Sequence, residues 1–161
     1  MTLKEQLNAD LRDAMRANDE TRRSTLRLLL TAVRNAEIPP EPAAGASADT
    51  AQRRELDDAT VLELIKREVK QRRDSIDAYT KANRADLVAR EEAEVAVLSA
   101  YMPPQMSRAD IEKAVRAVID RLGATGPADK GKVMPVIMAE LKDQAEGREI
   151  NAVVTEMLSN K

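Results

Sequence analysis

The segment from Gly126 to Lys132 comes closest to a motif that could carry out chemistry. Its sequence, Gly-Pro-Ala-Asp-Lys-Gly-Lys, has the glycine and lysine spacing of a phosphate-binding loop. Such a loop follows a hydrophobic strand, and a Ser or Thr after its lysine holds magnesium. Here the preceding pattern is that of an amphipathic helix, and Val133 occupies the hydroxyl position. The sequence therefore argues against nucleotide hydrolysis.

Two weaker interpretations of this segment stay open. In the first, Lys130, Gly131 and Lys132 lie near the start of a helix, where free backbone N–H groups and two ammonium groups could bind a phosphate. In the second, the segment is a glycine-containing helix start with solvated lysines. Pro135 constrains both interpretations, because a helix capped at Asp129 would place this proline beyond the first turn. The helix must then begin near Lys132 or kink.

A second basic cluster lies on a predicted third helix, where Lys66, Lys70 and Arg73 share one face. This face could follow the phosphates of a nucleic acid. Acidic residues alternate with it and could form i to i+4 ion pairs, which favours a salt-bridged, solvent-exposed face instead. These acidic residues are Glu63, Glu68, Asp74 and Asp77.

The remaining polar groups do not form a catalytic centre. Glu91, Glu92 and Glu94 have no histidine or second carboxylate motif to act with, so we interpret them as a solvated helix face. The chain contains no cysteine and no histidine. These absences exclude thiolate chemistry and remove the commonest general base and metal ligand. We therefore predict no catalytic residue, no metal site and no cofactor.

The composition favours an all-α fold for these 161 residues. Aromatic residues are limited to Tyr79 and Tyr101, so Leu, Ile, Val and Met must form the core, which suits interdigitated helices. The net charge of −2 predicts no general attraction to nucleic acid or to anionic membranes. Neither a long apolar run nor a signal-type start is found, because Lys4-Glu5-Gln6 interrupts the N-terminus. We expect a cytoplasmic protein that does not enter membranes.

The stretch from Leu98 to Ser107 divides the chain. Pro103 cannot continue a helix, and Ser107 with Asp110 has the pattern of a new helix start. We expect an N-terminal domain over residues 1–104, with four helices in two antiparallel hairpins and a mobile loop over 38–54. Residues 105–161 are expected to form a C-terminal domain of three short helices.

Capping residues predict where the helices begin. Thr2 and Glu5 form a capping box, Asp19 opens the second helix, Asp57 or Asp58 the third and Asn83 the fourth. Gly123 is expected to end the first helix of the C-terminal domain.

These residues, in this order, resemble the GatB/YqeY family and specifically its free-standing YqeY-like members. The resemblance extends over nearly the whole chain apart from the loop at 38–54. The segments that carry it are Ser24-Thr-Leu-Arg-Leu-Leu, Lys70-Gln-Arg, Arg84-Ala-Asp-Leu87, Glu91 through Glu94, Leu98 through Ser107, Gly131-Lys-Val-Met134, Leu141-Lys142, Gly147 and Asn151.

The resemblance implies a C-terminal domain similar to the tail of the tRNA-dependent amidotransferase B subunit. That tail helps to hold tRNA while misacylated Glu-tRNA or Asp-tRNA is amidated with nitrogen from glutamine, a carbon–nitrogen ligation. This chain lacks the kinase-like body of that subunit and the amidase machinery of its partner, so the resemblance can transfer RNA contact but no catalysis. Two positions depart from the family pattern: Pro135 replaces a small residue, and Asp143 replaces a usual Gly.

We therefore predict a non-catalytic tRNA-binding or accessory protein whose partners are tRNA and the amidotransferase or aminoacyl-tRNA machinery. The predicted RNA-binding residues are Lys130, Gly131, Lys132, Lys142, Arg148 and Asn151, with Lys66, Lys70 and Arg73 as a secondary basic face. An antiparallel pair of helices would group Lys142, Arg148 and Asn151 at one end. The Lys130 pair would lie about 18 Å away. The alternative is a helical protein-interaction or oligomerisation module without RNA binding.

Overall fold

A computed structural model of the chain describes residues 1–39 and 54–160, and all regular structure in these ranges is helical. The α-helices are α1 (Leu3–Arg16), α2 (Glu20–Ala36), α3 (Asp58–Lys81), α4 (Ala85–Ser99), α5 (Arg108–Leu122), α6 (Lys130–Glu140) and α7 (Gly147–Ser159). A 3-10 turn over Pro127–Asp129 precedes α6. The predicted all-α class is confirmed. Most of the predicted loop at 38–54, namely residues 40–53, lies outside the described residues.

The chain forms two compact units, Met1–Met102 and Pro103–Lys161, each with its own hydrophobic core. In the N-terminal unit, α1 packs on α2, α3 packs on α4, and α2 also contacts α3 and α4. In the C-terminal unit, α5, α6 and α7 pack against one another. None of the helices in the described ranges has both the length and the apolar character needed to span a membrane.

Most of the predicted helix starts are confirmed. The Thr2 and Glu5 side chains and backbones form the reciprocal capping box of α1. The Asp19 carboxylate accepts the Arg22 N–H at 3.0 Å, and Asp57 accepts the Thr60 N–H at 2.8 Å. The hydroxyl of Ser107 caps α5 in the same way, and Gly123 ends that helix at a φ of +65°. Each cap satisfies a backbone group that the helix itself leaves without a partner.

The prediction that Asn83 caps α4 is wrong. Asn83 has a φ of +56° and lies in the left-handed turn after α3. Arg84 is the N-cap residue and makes no capping hydrogen bond, but its Nε and Nη2 donate to the two carboxylate oxygens of Asp86 at 3.1 and 3.0 Å. Asparagine is favoured both at helix caps and in the left-handed region, so its presence alone did not fix its role.

A buried ion-pair cluster joins α3 to α4. Arg72, whose side chain is 9% exposed, donates from Nε to Glu94 at 2.9 Å and from Nη1 to Glu68 at 2.6 Å. Burial acts to lower the pKa of Arg72, but its hydrogen bonds to both carboxylates outweigh burial and raise that pKa. The prediction of a solvated face is therefore wrong for Glu94, whose side chain is only 12% exposed.

Pro135 lies inside α6. The helix begins at Lys130 with Asp129 as its N-cap, so of the two alternatives the start near Lys132 is wrong, and Pro135 is the sixth helical residue. Because proline has no N–H, the Gly131 carbonyl loses its helical hydrogen-bond donor.

The N-terminal unit also contains a second polar cluster, formed by Tyr101, Asp10 and Arg22. The Tyr101 hydroxyl donates to Asp10 Oδ2, and Arg22 Nη2 lies 3.3 Å from Asp10 Oδ1. Burial, together with the hydrogen bond to Asp10, raises the pKa of Tyr101 from 10.0 to about 12. The fold thus stabilises the protonated phenol. This contribution to stability is complete below pH 10 and is lost as the pH rises through the folded pKa of about 12.

We predict that the free energy of unfolding of the parent protein and that of a Tyr101→Phe variant converge between pH 10 and about pH 12. Below this range the difference between them should be constant, because the phenol is then protonated in both the folded and the unfolded state. Urea unfolding from pH 8 upward measures the effect, and Tyr79→Phe is the matched control. Parallel curves for the parent and Tyr101→Phe through pH 12 would contradict the prediction.

Candidate nucleic-acid interface

The start of α6 is formed by a 3-10 turn that leads directly into the helix. Gly126 is extended, the Asp129 N–H donates to its carbonyl at 3.0 Å, and the Lys130 N–H donates to the carbonyl of Pro127. Of the backbone donors that the sequence suggested could be free for a phosphate, the Lys130 N–H therefore already has a partner. A phosphate at this point would have to use the remaining N–H groups of the first turn of α6 or the lysine side chains.

Lys130 and Lys132 differ in their surroundings. Lys132 Nζ lies 3.4 Å from Asp129 Oδ1, while the lysine side chain remains 77% exposed. The Thr125 backbone N–H, with a smaller contribution from Lys132, lowers the pKa of Asp129, so this carboxylate is ionised and offsets part of the Lys132 charge. Lys130 is half-buried and forms no ion pair with any described residue. Lys130 is thus the less compensated cation of the two.

Gly131, between these lysines, leaves open space beside the helix. A Cβ atom built on it would meet no atom within 4 Å, and its φ is not positive. The fold therefore does not require glycine at this position. The missing side chain leaves the backbone accessible from solvent.

Lys142, Arg148 and Asn151 lie around the connection from α6 to α7. Lys142 is exposed in the turn, two residues beyond the last residue of α6, while Arg148 and Asn151 are exposed near the start of α7. A Cβ on Gly147 would come within 3.1 Å of Met138 Cε, so the end of α6 lies against the start of α7. This geometry places the second group about one length of α6, roughly 15 Å, from Lys130.

Asp143 lies in the same turn as Lys142. Its φ is +68°, a left-handed conformation that favours glycine, and its carbonyl accepts a hydrogen bond from Gln105 Nε2 at 3.1 Å. A positive φ at this position agrees with the Gly that the family resemblance implies there. Gly147, by contrast, does not have a positive φ. A Cβ at this position would lie 3.1 Å from Met138 Cε, so the flexible Met138 side chain would have to shift slightly to accept a larger residue.

Other basic residues of the C-terminal unit fall into two groups. Arg108 pairs with Glu112 and Glu156, and Arg121 pairs with Glu140. Lys113 and Arg116 are exposed on α5 and form no ion pair within the described ranges. The RNA-binding residues predicted from the sequence do not include these two. Their i, i+3 spacing, on the side of α5 away from its buried residues, was the available signal.

The secondary basic face on α3 is partly salt-bridged. Lys66 Nζ lies 2.8 Å from Glu63 Oε1, Lys70 is exposed, and Arg73 is half-buried. At Lys66 the ion pair reduces the positive charge available to a nucleic acid. Within the described ranges, no three Asp or Glu side chains converge to form a metal site.

Comparison with known proteins gives a consistent set of matches. A family profile described as "Yqey-like protein" matches residues 4–158. The chain is also similar to proteins named "Altered inheritance of mitochondria protein 41, mitochondrial". The protein of this name from Lachancea thermotolerans is 35% identical over 76% of this chain, and the one from Saccharomyces cerevisiae strain YJM789 is 32% identical over 84%. The Eremothecium gossypii protein of that name is 31% identical over 91% of this chain. The alignments cover 60%, 68% and 73% of these relatives' own lengths.

The expectation of a cytoplasmic location is wrong by this comparison, because the matching relatives are named as mitochondrial proteins. The expectation had rested on the absence of a signal-type start and of a long apolar run. Neither feature distinguishes one aqueous compartment from another.

We predict that Gly131→Ala raises the free energy of unfolding by less than about 1 kcal/mol, because alanine favours the helix and its Cβ meets open space, but Gly131 lies in the first turn of α6 and not in its interior. Gly147→Ala is the matched control and should gain less or lose stability, because its Cβ would press on Met138. Urea denaturation of the three proteins measures both effects. A lower free energy of unfolding for Gly131→Ala would contradict the prediction and would mean that the fold requires glycine at this position.

Proposed function

The chain belongs to the Yqey-like protein family, and from this premise we propose that it is a non-catalytic accessory protein that binds tRNA through its C-terminal unit. The observation that carries the proposal is the position of cations at both ends of α6. Lys130 lies at the start of this helix and Lys142 just beyond its end, and neither forms an ion pair with any described residue. Their separation suits a ligand with several phosphates along its surface, such as a folded RNA.

Because the charges of the C-terminal unit balance, its proposed contact with RNA must be local. The C-terminal unit contains equal numbers of basic and acidic residues, so no long-range field concentrates nucleic acid around it. Affinity must come from a few direct phosphate contacts. Arg148 and Asn151 at the start of α7 would add hydrogen bonds to the group around Lys142.

The absence of histidine and cysteine supports a binding role over catalysis. In the proposed role, the protein does not itself catalyse carbon–nitrogen ligation. It is linked to that reaction only through its partners, the amidotransferase or the aminoacyl-tRNA machinery. The relatives' names connect those proteins with the inheritance of mitochondria. We propose that the segment shared with this chain supplies the RNA contact and that the rest of their activity lies with their remaining sequence.

A helical protein-interaction module is the second candidate function. It is favoured by Leu28, which is 57% exposed on the N-terminal unit. Salt separates the two functions, because phosphate contacts weaken linearly in the logarithm of salt concentration whereas apolar helix docking responds little.

We predict that labelled tRNA binds the full chain more weakly at about 200 mM than at about 50 mM salt. The Lys130→Ala/Lys132→Ala double variant should bind more weakly still at low salt. Its slope of log affinity against log salt should be flatter by about 1, because Asp129 already offsets part of the Lys132 charge. Fluorescence anisotropy titrations at several salt concentrations measure both quantities.

The matched control is Arg12→Ala/Arg16→Ala, which removes two exposed cations from the N-terminal unit and should leave the slope unchanged. If the Lys130/Lys132 variant binds like the parent at every salt concentration, the proposed location is wrong, and the face formed by Lys66, Lys70 and Arg73 becomes the next candidate. If the parent shows no salt-dependent binding of tRNA, the RNA proposal itself fails.

A further inference from the structure

A groove of about 450 Å³ opens on the N-terminal unit and is lined by residues of α2, α3 and α4. Leu28, Tyr79 and Leu87, one from each helix, supply its apolar lining. Leu28 is more than half exposed. A single exposed leucine is common on protein surfaces, but here it shares a concave surface with two further apolar side chains. The groove therefore offers an apolar contact to a ligand.

The polar part of the groove is formed around Arg72, which is nine-tenths buried and lines the groove. Its Nε and Nη1 atoms are held by Glu94 and Glu68, as described above. Nη2 has no acceptor among the described residues. A guanidinium N–H in a buried side chain is stabilised when it donates to an oxygen atom. The groove thus offers the two N–H groups of Nη2, which solvent reaches, as hydrogen-bond donors to a ligand.

The charges around the groove are unequal. The carboxylates of Glu68, Glu91 and Glu94 line it together with the guanidinium groups of Arg72 and Arg90, leaving one excess negative charge. Glu91 forms no ion pair with any described residue. Arg90 is 74% exposed and lies 3.7 Å from Glu94, so water screens much of its charge. The groove therefore favours a cationic ligand over an anionic one.

We propose that this groove binds a basic amphipathic peptide segment of a partner protein. A Lys or Arg of the peptide pairs with Glu91, a backbone carbonyl accepts from Arg72 Nη2, and an apolar side chain packs on Leu28. The last turn of an amphipathic helix offers all three groups, because its final carbonyls have no internal donor and basic residues are favoured there. This site is independent of the tRNA contact proposed for the C-terminal unit.

The test is selection from a random peptide display library against the full chain, followed by anisotropy titrations with the selected synthetic peptides. Enriched sequences should carry Lys or Arg three or four residues from Leu, Ile or Met. Glu91→Gln should weaken their binding about fivefold and Leu28→Ser about tenfold. Glu92→Gln and Met15→Ser are matched controls, because both residues are exposed and neither lines the groove. These controls should bind within about twofold of the parent.

Circular dichroism and thermal unfolding confirm that each variant is folded. Arg72 is left unchanged, since its removal would leave Glu68 and Glu94 without their cation and destabilise the unit. The proposal is overturned if no peptide is enriched, or if acidic or uncharged peptides are enriched. The proposal would also be overturned if Glu91→Gln and Leu28→Ser bound the selected peptides as tightly as the parent protein does. Displacement of a selected peptide by tRNA would assign the groove to RNA and contradict the proposal of separate sites.

Discussion

The N-terminal unit depends on one buried guanidinium. Arg72 on α3 is held by Glu68 one turn away and by Glu94 on α4, so the two helices are joined by charge-assisted hydrogen bonds as well as by apolar packing. Breaking a buried ion pair by removing one partner typically costs about 3–5 kcal/mol, and Arg72 is the side chain that both carboxylates share. The same cluster shapes the polar lining of the groove, which connects the packing of the unit to its surface chemistry.

Local chemistry made the helices predictable. The starts at Thr2, Asp19 and Ser107 follow from side chains that bond to backbone groups three residues away, and the end of α5 follows from the conformational freedom of Gly123. The Arg72–Glu94 pair was not predictable in this way. Its members are 22 residues apart and meet only because α3 packs on α4. In the sequence, Glu94 looked like one of several solvated acids.

The candidate RNA contact was predictable in residue type but not in detail. The sequence indicated the basic residues around Gly131, whereas the ion pair between Lys132 and Asp129 and the hydrogen bond that occupies the Lys130 N–H depend on the 3-10 turn. The sequence did not single out Lys113 and Arg116, which form no ion pair within the described ranges. Which charges are left without a partner is a property of the folded surface.

The central claim is that the C-terminal unit makes the contact with tRNA. Ultraviolet cross-linking of tRNA to the full chain, followed by mass spectrometry of the linked peptides, tests it most directly. The account predicts cross-links in the residues around the start of α6 and around the connection to α7, from Pro127 to Val133 and from Lys142 to Asn151. Cross-links confined to residues 1–102, or none above the background of an unrelated protein, would contradict it.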